Sequence, residues 1–184
     1  MFSSSSHLLE RLARLVHNDA HTGGLKPTQW EALRYLARAN RFSRSPGALT
    51  SYLGMTKGTV SQTLQALERK GLIEKQAASG DRRGVKLDLT SAGDRLLTHD
   101  PLGDLDASIN ALPKEDQKRF GAMLEGLMKN MLHRRSGKAF GACKTCRHFR
   151  HRHDRGAPHF CSLLSEPLSR NDSDQICAEQ EAAA

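Results

Sequence analysis

At 184 residues the chain has room for one full domain and a small appendage. Lys and Arg outnumber Asp and Glu by 28 to 20, for a net charge of +8 and a pI near 9.6, a balance that favours polyanions, with nucleic acid first among them. No apolar run approaches the ~18 residues of a membrane helix, and Arg11 and Arg14 interrupt the N-terminal segment MFSSSSHLLERLARL; neither a membrane partner nor a secretory signal is expected, and a cytoplasmic location is.

Taken in chain order, residues 5 to 18 carry Leu8, Leu9, Leu12, Leu15 and Val16 as a helical stripe. A helix this short needs a partner surface. His21 to Gly24 ends it. Pro27 opens a second helix, with Trp30, Leu33, Leu36 and Ala37 on one face. Asn40 to Pro46 is a polar, Arg-rich connector. Residues 47 to 53 form a short helix stopped by Gly54, and Thr56 caps the next. Val60, Leu64 and Leu67 of that helix face the core, and Gly71 ends it. Leu72 to Gln76 and Val85 to Leu89 read as two strands joined by a long tip, Ala77 to Gly84. Thr90 caps a further helix with Leu96 and Leu97. Asp100-Pro101 breaks it and restarts a helix, with Asp100 as N-cap, that runs to Leu112-Pro113. A long helix over roughly 114 to 133 sets Phe120, Met123, Leu124, Leu127, Met128, Met131 and Leu132 on one stripe, more than a thin domain buries alone. Ser136-Gly137 is a boundary beyond which periodicity vanishes, and the final Glu181 to Ala184 is expected to fray.

Charge divides at this boundary. Residues 1 to 136 hold 21 Lys/Arg against 14 Asp/Glu, and residues 137 to 184 hold 7 against 6. The excess sits with the first part, which carries the helix at 56 to 69; that helix has what a major-groove helix needs: an apolar inner face and small polar or basic residues outside. Lys57 and Gln62 suit base edges. Thr56, Thr59 and Ser61 suit phosphates or bases, and Gln65 is a further outward residue. Arg82 and Arg83, at the strand–strand tip, suit a minor groove, with Asp81 orienting a neighbouring Arg. Arg41 and Arg44 precede the motif and are candidates for backbone phosphates. The order of helix, glycine turn, Ser/Thr-rich helix, strand, Arg-tipped loop and strand points to DNA binding.

Residues 26 to 97 resemble the MarR family of winged helix-turn-helix regulators, through KPTQWEALRYLARA, LGMTKGTVSQTLQALERKGLIEK and DRRGVKLDLTSAGDRLL; the pattern extends from residue 7 to 133. The resemblance implies a homodimer built from the first and last helices, a recognition helix at 56 to 69 and Arg82 or Arg83 in the minor groove. It implies a repressor on a pseudo-palindromic double-stranded DNA operator, with recognition helices about 34–36 Å apart. It also implies a small-molecule effector in the cleft between dimer and DNA-binding regions, though no residue set here identifies one.

Cys143, Cys146, Cys161 and Cys177 are the only cysteines, spaced C-x2-C-x14-C-x15-C. In a reducing compartment such a set points to a metal rather than to disulfides. Four thiolates close one site for a [4Fe-4S] cluster or, as the alternative, for Zn2+. The spacing resembles that of high-potential iron–sulfur proteins and of the small cluster-bearing subunits of benzylsuccinate synthase. Phe140, Phe149, Phe160, Leu163, Leu164, Leu168 and Ile176 are the apolar cover available. His148, His151, His153 and His159 read, with Arg147, Arg150, Arg152 and Arg155, as a solvated basic loop, a Cys3His site being the other option.

The expected architecture is mainly α (α+β): a winged helix-turn-helix dimer domain over 1–136, its DNA-binding core at 26–97, with N- and C-terminal dimerisation helices, and a cysteine-ligated metal or cluster module over 137–184. The expected function is a sequence-specific regulator whose cluster senses redox, oxygen or iron status and acts by shifting the helix at 114 to 133. The alternatives are a MarR-type regulator with structural zinc and a small-molecule signal, and a redox or electron-transfer protein or interaction module. An enzyme is not expected: the sequence lacks a Gly-rich nucleotide loop, a His-Glu-x-x-His motif and a nucleophile elbow.

Overall fold

The computed structural model describes residues 4–77, 84–151 and 156–183. Helix α1 (Ser5–Asp19) is capped by Ser4, whose hydroxyl accepts from the His7 N–H, and buries no residue of its own. Helix α2 (Pro27–Arg38) starts on proline and is the core's axis, with Trp30, Ala32, Leu33, Tyr35 and Leu36 buried. Ala37 is exposed; it lies in the last turn, and Ala32 and Tyr35 complete the buried face instead.

Helix α3 (Pro46–Leu53) is capped by Ser45 and ends on Gly54, whose φ of 62° is the left-handed conformation that glycine adopts without a Cβ penalty. Helix α4 (Lys57–Arg69) follows, with Thr56 as N-cap. Strands β1 (Ile73–Ala77) and β2 (Val85–Leu89) pair antiparallel from Ile73–Leu89 to Ala77–Val85. Their roots, Ile73 and Leu87, are buried with Leu49, Val60, Leu64 and Leu67 in the one large core. Helix α5 (Ser91–Leu97) is capped by Thr90 and packs so close to the wing root that a Cβ on Gly93 would collide with the Leu72 carbonyl oxygen.

Helix α6 (Gly103–Asn110) begins later than the sequence suggests, and Asp100 is not its N-cap. The Asp100 carboxylate is claimed by Arg34 of α2, which donates to it at 2.7 and 2.6 Å, and it also accepts from the Leu102 N–H at 2.8 Å. Helix α7 (Lys114–Arg134) packs chiefly on α6 and buries none of its residues fully. Met123 is 65% exposed and Met128 53%, and Leu124, Leu127 and Met131 are exposed beside them; Leu8 and Leu15 of α1 are likewise bare. No helix among the described residues is long and apolar enough to cross a membrane.

After α7 the chain turns at Ser136 (φ 50°) into a small module of short elements. Strand β3 (Gly141–Ala142) pairs antiparallel with β7 (Ile176–Cys177). A 3-10 turn over Cys143–Thr145 follows β3. Strands β4 (Phe149–His151), β5 (His159–Cys161) and β6 (Glu166–Leu168) form a second antiparallel sheet. Helix α8 (Arg170–Asp174) is capped by a reciprocal Ser169–Asp172 pair. The end of the chain is tied rather than frayed as far as it is described: Ala182 bridges Cys146, and the Ala183 N–H donates to the Thr145 carbonyl. The frayed end expected from composition is corrected by these backbone bonds, which residue type alone does not signal.

Candidate DNA-reading and cysteine sites

The outer face of α4 carries the residues singled out from the sequence. Thr56, Lys57, Thr59, Ser61, Gln62 and Gln65 are all exposed, while Val60, Thr63, Leu64 and Leu67 are buried on the opposite side. The Thr56 hydroxyl also serves the fold, since it accepts from the Thr59 N–H at 3.2 Å and closes the helix N-terminus. Lys57, Ser61 and Gln65 stand one turn apart along the face, with Gln62 beside them. Arg82, Arg83 and Asp81 lie outside the described residues.

The two connector arginines are used internally. Arg44 donates from Nη1 to Asp88 at 2.9 Å and from Nε to the Ala39 carbonyl at 3.0 Å, tying the connector to the wing strand β2. Asp88 also accepts from Lys86 at 2.7 Å. Burial raises the Asp88 pKa, but the hydrogen bonds and charges of Lys86 and Arg44 outweigh it and hold the carboxyl below its ordinary range. Arg41 reaches the other way, donating to the Pro167 carbonyl and lying 3.6 Å from the buried Asp172.

The four cysteines, far apart in sequence, line one cavity. Cys143, Cys146, Cys161 and Cys177 share it with His148, Phe149, Leu163, Leu168 and Glu179, and its volume is about 10 Å³. Cys143, Cys161 and Cys177 are buried, and all four are free thiols. Each arrives on a different piece of backbone: the 3-10 turn, its exit, the end of β5 and β7. Several N–H groups point at the sulfurs. Asn40 Nδ2 donates to Cys143 Sγ at 3.1 Å, and the Glu181 N–H approaches Cys146 Sγ at 3.5 Å. Cys177 accepts from Cys143 and from the Glu179 N–H, with Asn40 and Ser43 adding to these, so its thiol is pushed down despite burial. Cys143, as donor to Cys177 and itself buried, is pushed up.

The donor set suits a soft metal or an iron–sulfur group. Among the described residues, no three His, Cys, Asp or Glu side chains are gathered as a single metal ion would hold them. Of the seven apolar residues expected as cover, Phe149, Leu163 and Leu168 line the cavity. Ile176 packs into the main core instead, and Phe140 stands edge-on to Tyr52 of α3 at 5.2 Å. The histidines are not a uniformly solvated loop. His148 lines the cavity, His159 is half-buried and stacks on Phe149 at 4.8 Å, and His153 lies outside the described residues with Arg152 and Arg155.

The residues sequence reasoning missed are Asn40 and Ser43, both buried in the connector. Asn40 is 0% exposed: its N–H donates to the Ile176 carbonyl at 2.9 Å, its Oδ1 accepts from the Phe42 N–H, and its Nδ2 meets Cys143. Ser43 Oγ accepts from the Ala178 N–H at 2.8 Å, and its carbonyl accepts from Tyr35 Oη at 2.7 Å. Two uncharged polar residues in an Arg-rich stretch give little warning of this.

Residues 23–84 match the sequence model of the MarR family. No curated protein sequence matches the chain significantly. Among solved structures, the fold is similar to S. aureus MepR in its DNA-binding conformation, with a TM-score of 0.62 at 20% identity over 70% of this chain and 99% of that one. An S. aureus MepR–DNA complex aligns with a TM-score of 0.57 at 20% identity, covering 70% and 99%. A MarR transcriptional regulator from Methanosarcina mazei Go1 gives 0.57 at 21% identity, covering 70% and 93%. Nearly all of each neighbour is matched while part of this chain remains over. Residues 23–84 of this chain are thus similar to the MarR family, and the helix-turn-helix and wing root share the winged-helix fold of these structures.

Proposed function

We propose that the chain is a homodimeric repressor that reads a pseudo-palindromic double-stranded DNA operator with α4, and that Cys143, Cys146, Cys161 and Cys177 hold a [4Fe-4S] cluster whose redox, oxygen or iron status sets DNA binding. The observation that carries the DNA reading is the outer face of α4, where Lys57, Ser61, Gln62 and Gln65 are all exposed on a MarR-type unit. Side chains of this kind reach base edges and phosphates from a helix lying in the major groove. Dimerisation is supported by α1 and α7, whose apolar stripes are exposed or half-buried and nowhere fully buried among the described residues. A second copy would pair the two reading helices for successive turns of the duplex.

The cluster reading is supported by convergence: four sulfurs from separate backbone pieces border one cavity with apolar walls, a donor set that suits an iron–sulfur group. When bound, such a cluster supplies a one-electron redox centre whose potential depends on hydrogen bonds to the sulfurs. This chain's residues contribute those bonds from Asn40 and the Glu179 and Glu181 N–H groups, and exclude water with Phe149, Leu163 and Leu168.

The DNA reading is tested by fluorescence anisotropy, with operator fragments selected from random duplexes and titrated over a range of salt. The expected result is enrichment of a two-fold-symmetric sequence, with affinity falling steeply as salt rises. No enrichment, or affinity independent of salt, overturns it.

A further inference from the structure

We infer that Asn40 and Ser43 couple the cysteine site to the helix-turn-helix inside each chain, so that occupancy of the site is transmitted through the connector at 39–44 and not through α7. The inference rests on the cluster reading above and names how that site regulates DNA binding.

The attachments of the cysteine module run to the connector and α3. Ile176 bridges Ala39 in parallel and accepts from the Asn40 N–H. Asn40 Nδ2 donates to Cys143, the Ala178 N–H donates to Ser43, and Arg41 reaches Pro167 and Asp172. Phe140 meets Tyr52 of α3. Helix α7, the route that sequence alone suggests for the signal, packs chiefly on α6.

The connector is also a strap for everything that reads DNA. It joins α2 to α3, the Leu87 N–H of the wing donates to the Arg44 carbonyl at 2.8 Å, and the Arg44 side chain holds Asp88 and Ala39. Asn40 sits where this strap meets a sulfur ligand. A neutral thiol is a weak acceptor, whereas a metal-bound thiolate carries negative charge and accepts strongly. A buried amide whose acceptor weakens is destabilised. With the site loaded, Asn40 is held and the strap is fixed. With it stripped, Asn40 loses its strong acceptor, the strap loosens, and DNA binding must reorder it at a cost in entropy.

The test compares operator affinity of the full chain, purified without oxygen and carrying its cluster, with that of the same preparation stripped by ferricyanide and EDTA. Iron, sulfide and the cluster's midpoint potential are read alongside. In the unmodified chain, stripping weakens binding by about tenfold or more, in the usual range of coupling between sites. Asn40→Leu keeps iron and sulfide, lowers the midpoint potential because a hydrogen bond to a ligand sulfur is gone, and brings the stripped-to-loaded ratio to about one. Ser43→Ala, which leaves the Asn40–Cys143 bond in place, brings the same ratio down, and decides the matter if the Asn40 variant fails to fold or load. Loaded variants that keep the full ratio overturn the coupling. An unmodified chain that carries the cluster but shows a ratio near one overturns the coupling and leaves the cluster reading standing. A chain without iron and sulfide overturns both.

Discussion

At the scale of single residues, the proposed DNA-reading face and the core are separable. Gln62 is exposed on α4. Gln62→Ala is expected to weaken operator binding by about 1–3 kcal/mol and relax preference at one base pair, with an unchanged urea midpoint. Lys57→Ala should weaken binding to all duplexes and reduce the slope of log affinity against log salt by about one. Trp30 behaves in the opposite way. It is 1% exposed and its Nε1 donates to the Thr22 carbonyl at 3.3 Å. Trp30→Ala is expected to cost about 3–5 kcal/mol of stability, read from equilibrium unfolding. Asp88 and Asp100 both have depressed carboxyls: burial alone would raise them, and the hydrogen bonds and charges of Lys86 and Arg44, or of Arg34 with the Leu102 N–H, outweigh it. A depressed folded pKa gives stability that is complete above the ordinary value of 3.8 and lost as the pH falls below it. Asp100→Asn should therefore lower the unfolding midpoint at neutral pH and flatten its decline in acid.

At the scale of elements, what the sequence made legible is what local rules determine. The period of Val60, Leu64 and Leu67, the cap at Thr56 and the left-handed Gly54 are all readable within a dozen residues, and α4 is found one residue inside its expected span. The Asp100 helix start failed because a residue of α2, 66 positions away, takes the carboxylate. The stripe on α7 was readable, and its exposure in one chain is what the proposed dimer would cover. Met128→Asp on that stripe is expected to shift the dimer toward monomer in sedimentation equilibrium, with a matching loss of operator binding; a dimer of unchanged strength would contradict the pairing. Gly93 was not singled out at all, since the approach of α5 to Leu72 is a tertiary event. Gly93→Ala should destabilise the chain by more than the few tenths of a kcal/mol usual for surface changes, because the Leu72 carbonyl occupies the space the methyl requires.

At the scale of the whole molecule, the chain is a winged-helix unit with a cysteine module seated against its connector. The sequence announced the module through four cysteines within 35 residues, but not its seat, because Asn40 and Cys143 are 103 positions apart and neither residue type demands the other. The seat changes the sense of the module. It hangs from the segment that holds α3 and the wing, so a change among its sulfurs has a short path to α4. The most direct test of this account is the metal content of the chain purified without oxygen, read as iron, acid-labile sulfide and zinc together with visible absorbance. The account predicts a brown protein with iron and sulfide in equal amounts, about four of each per chain. A colourless protein with about one zinc per chain and no iron would contradict it, and would make the module a structural element beneath a DNA-binding unit that takes its signal elsewhere.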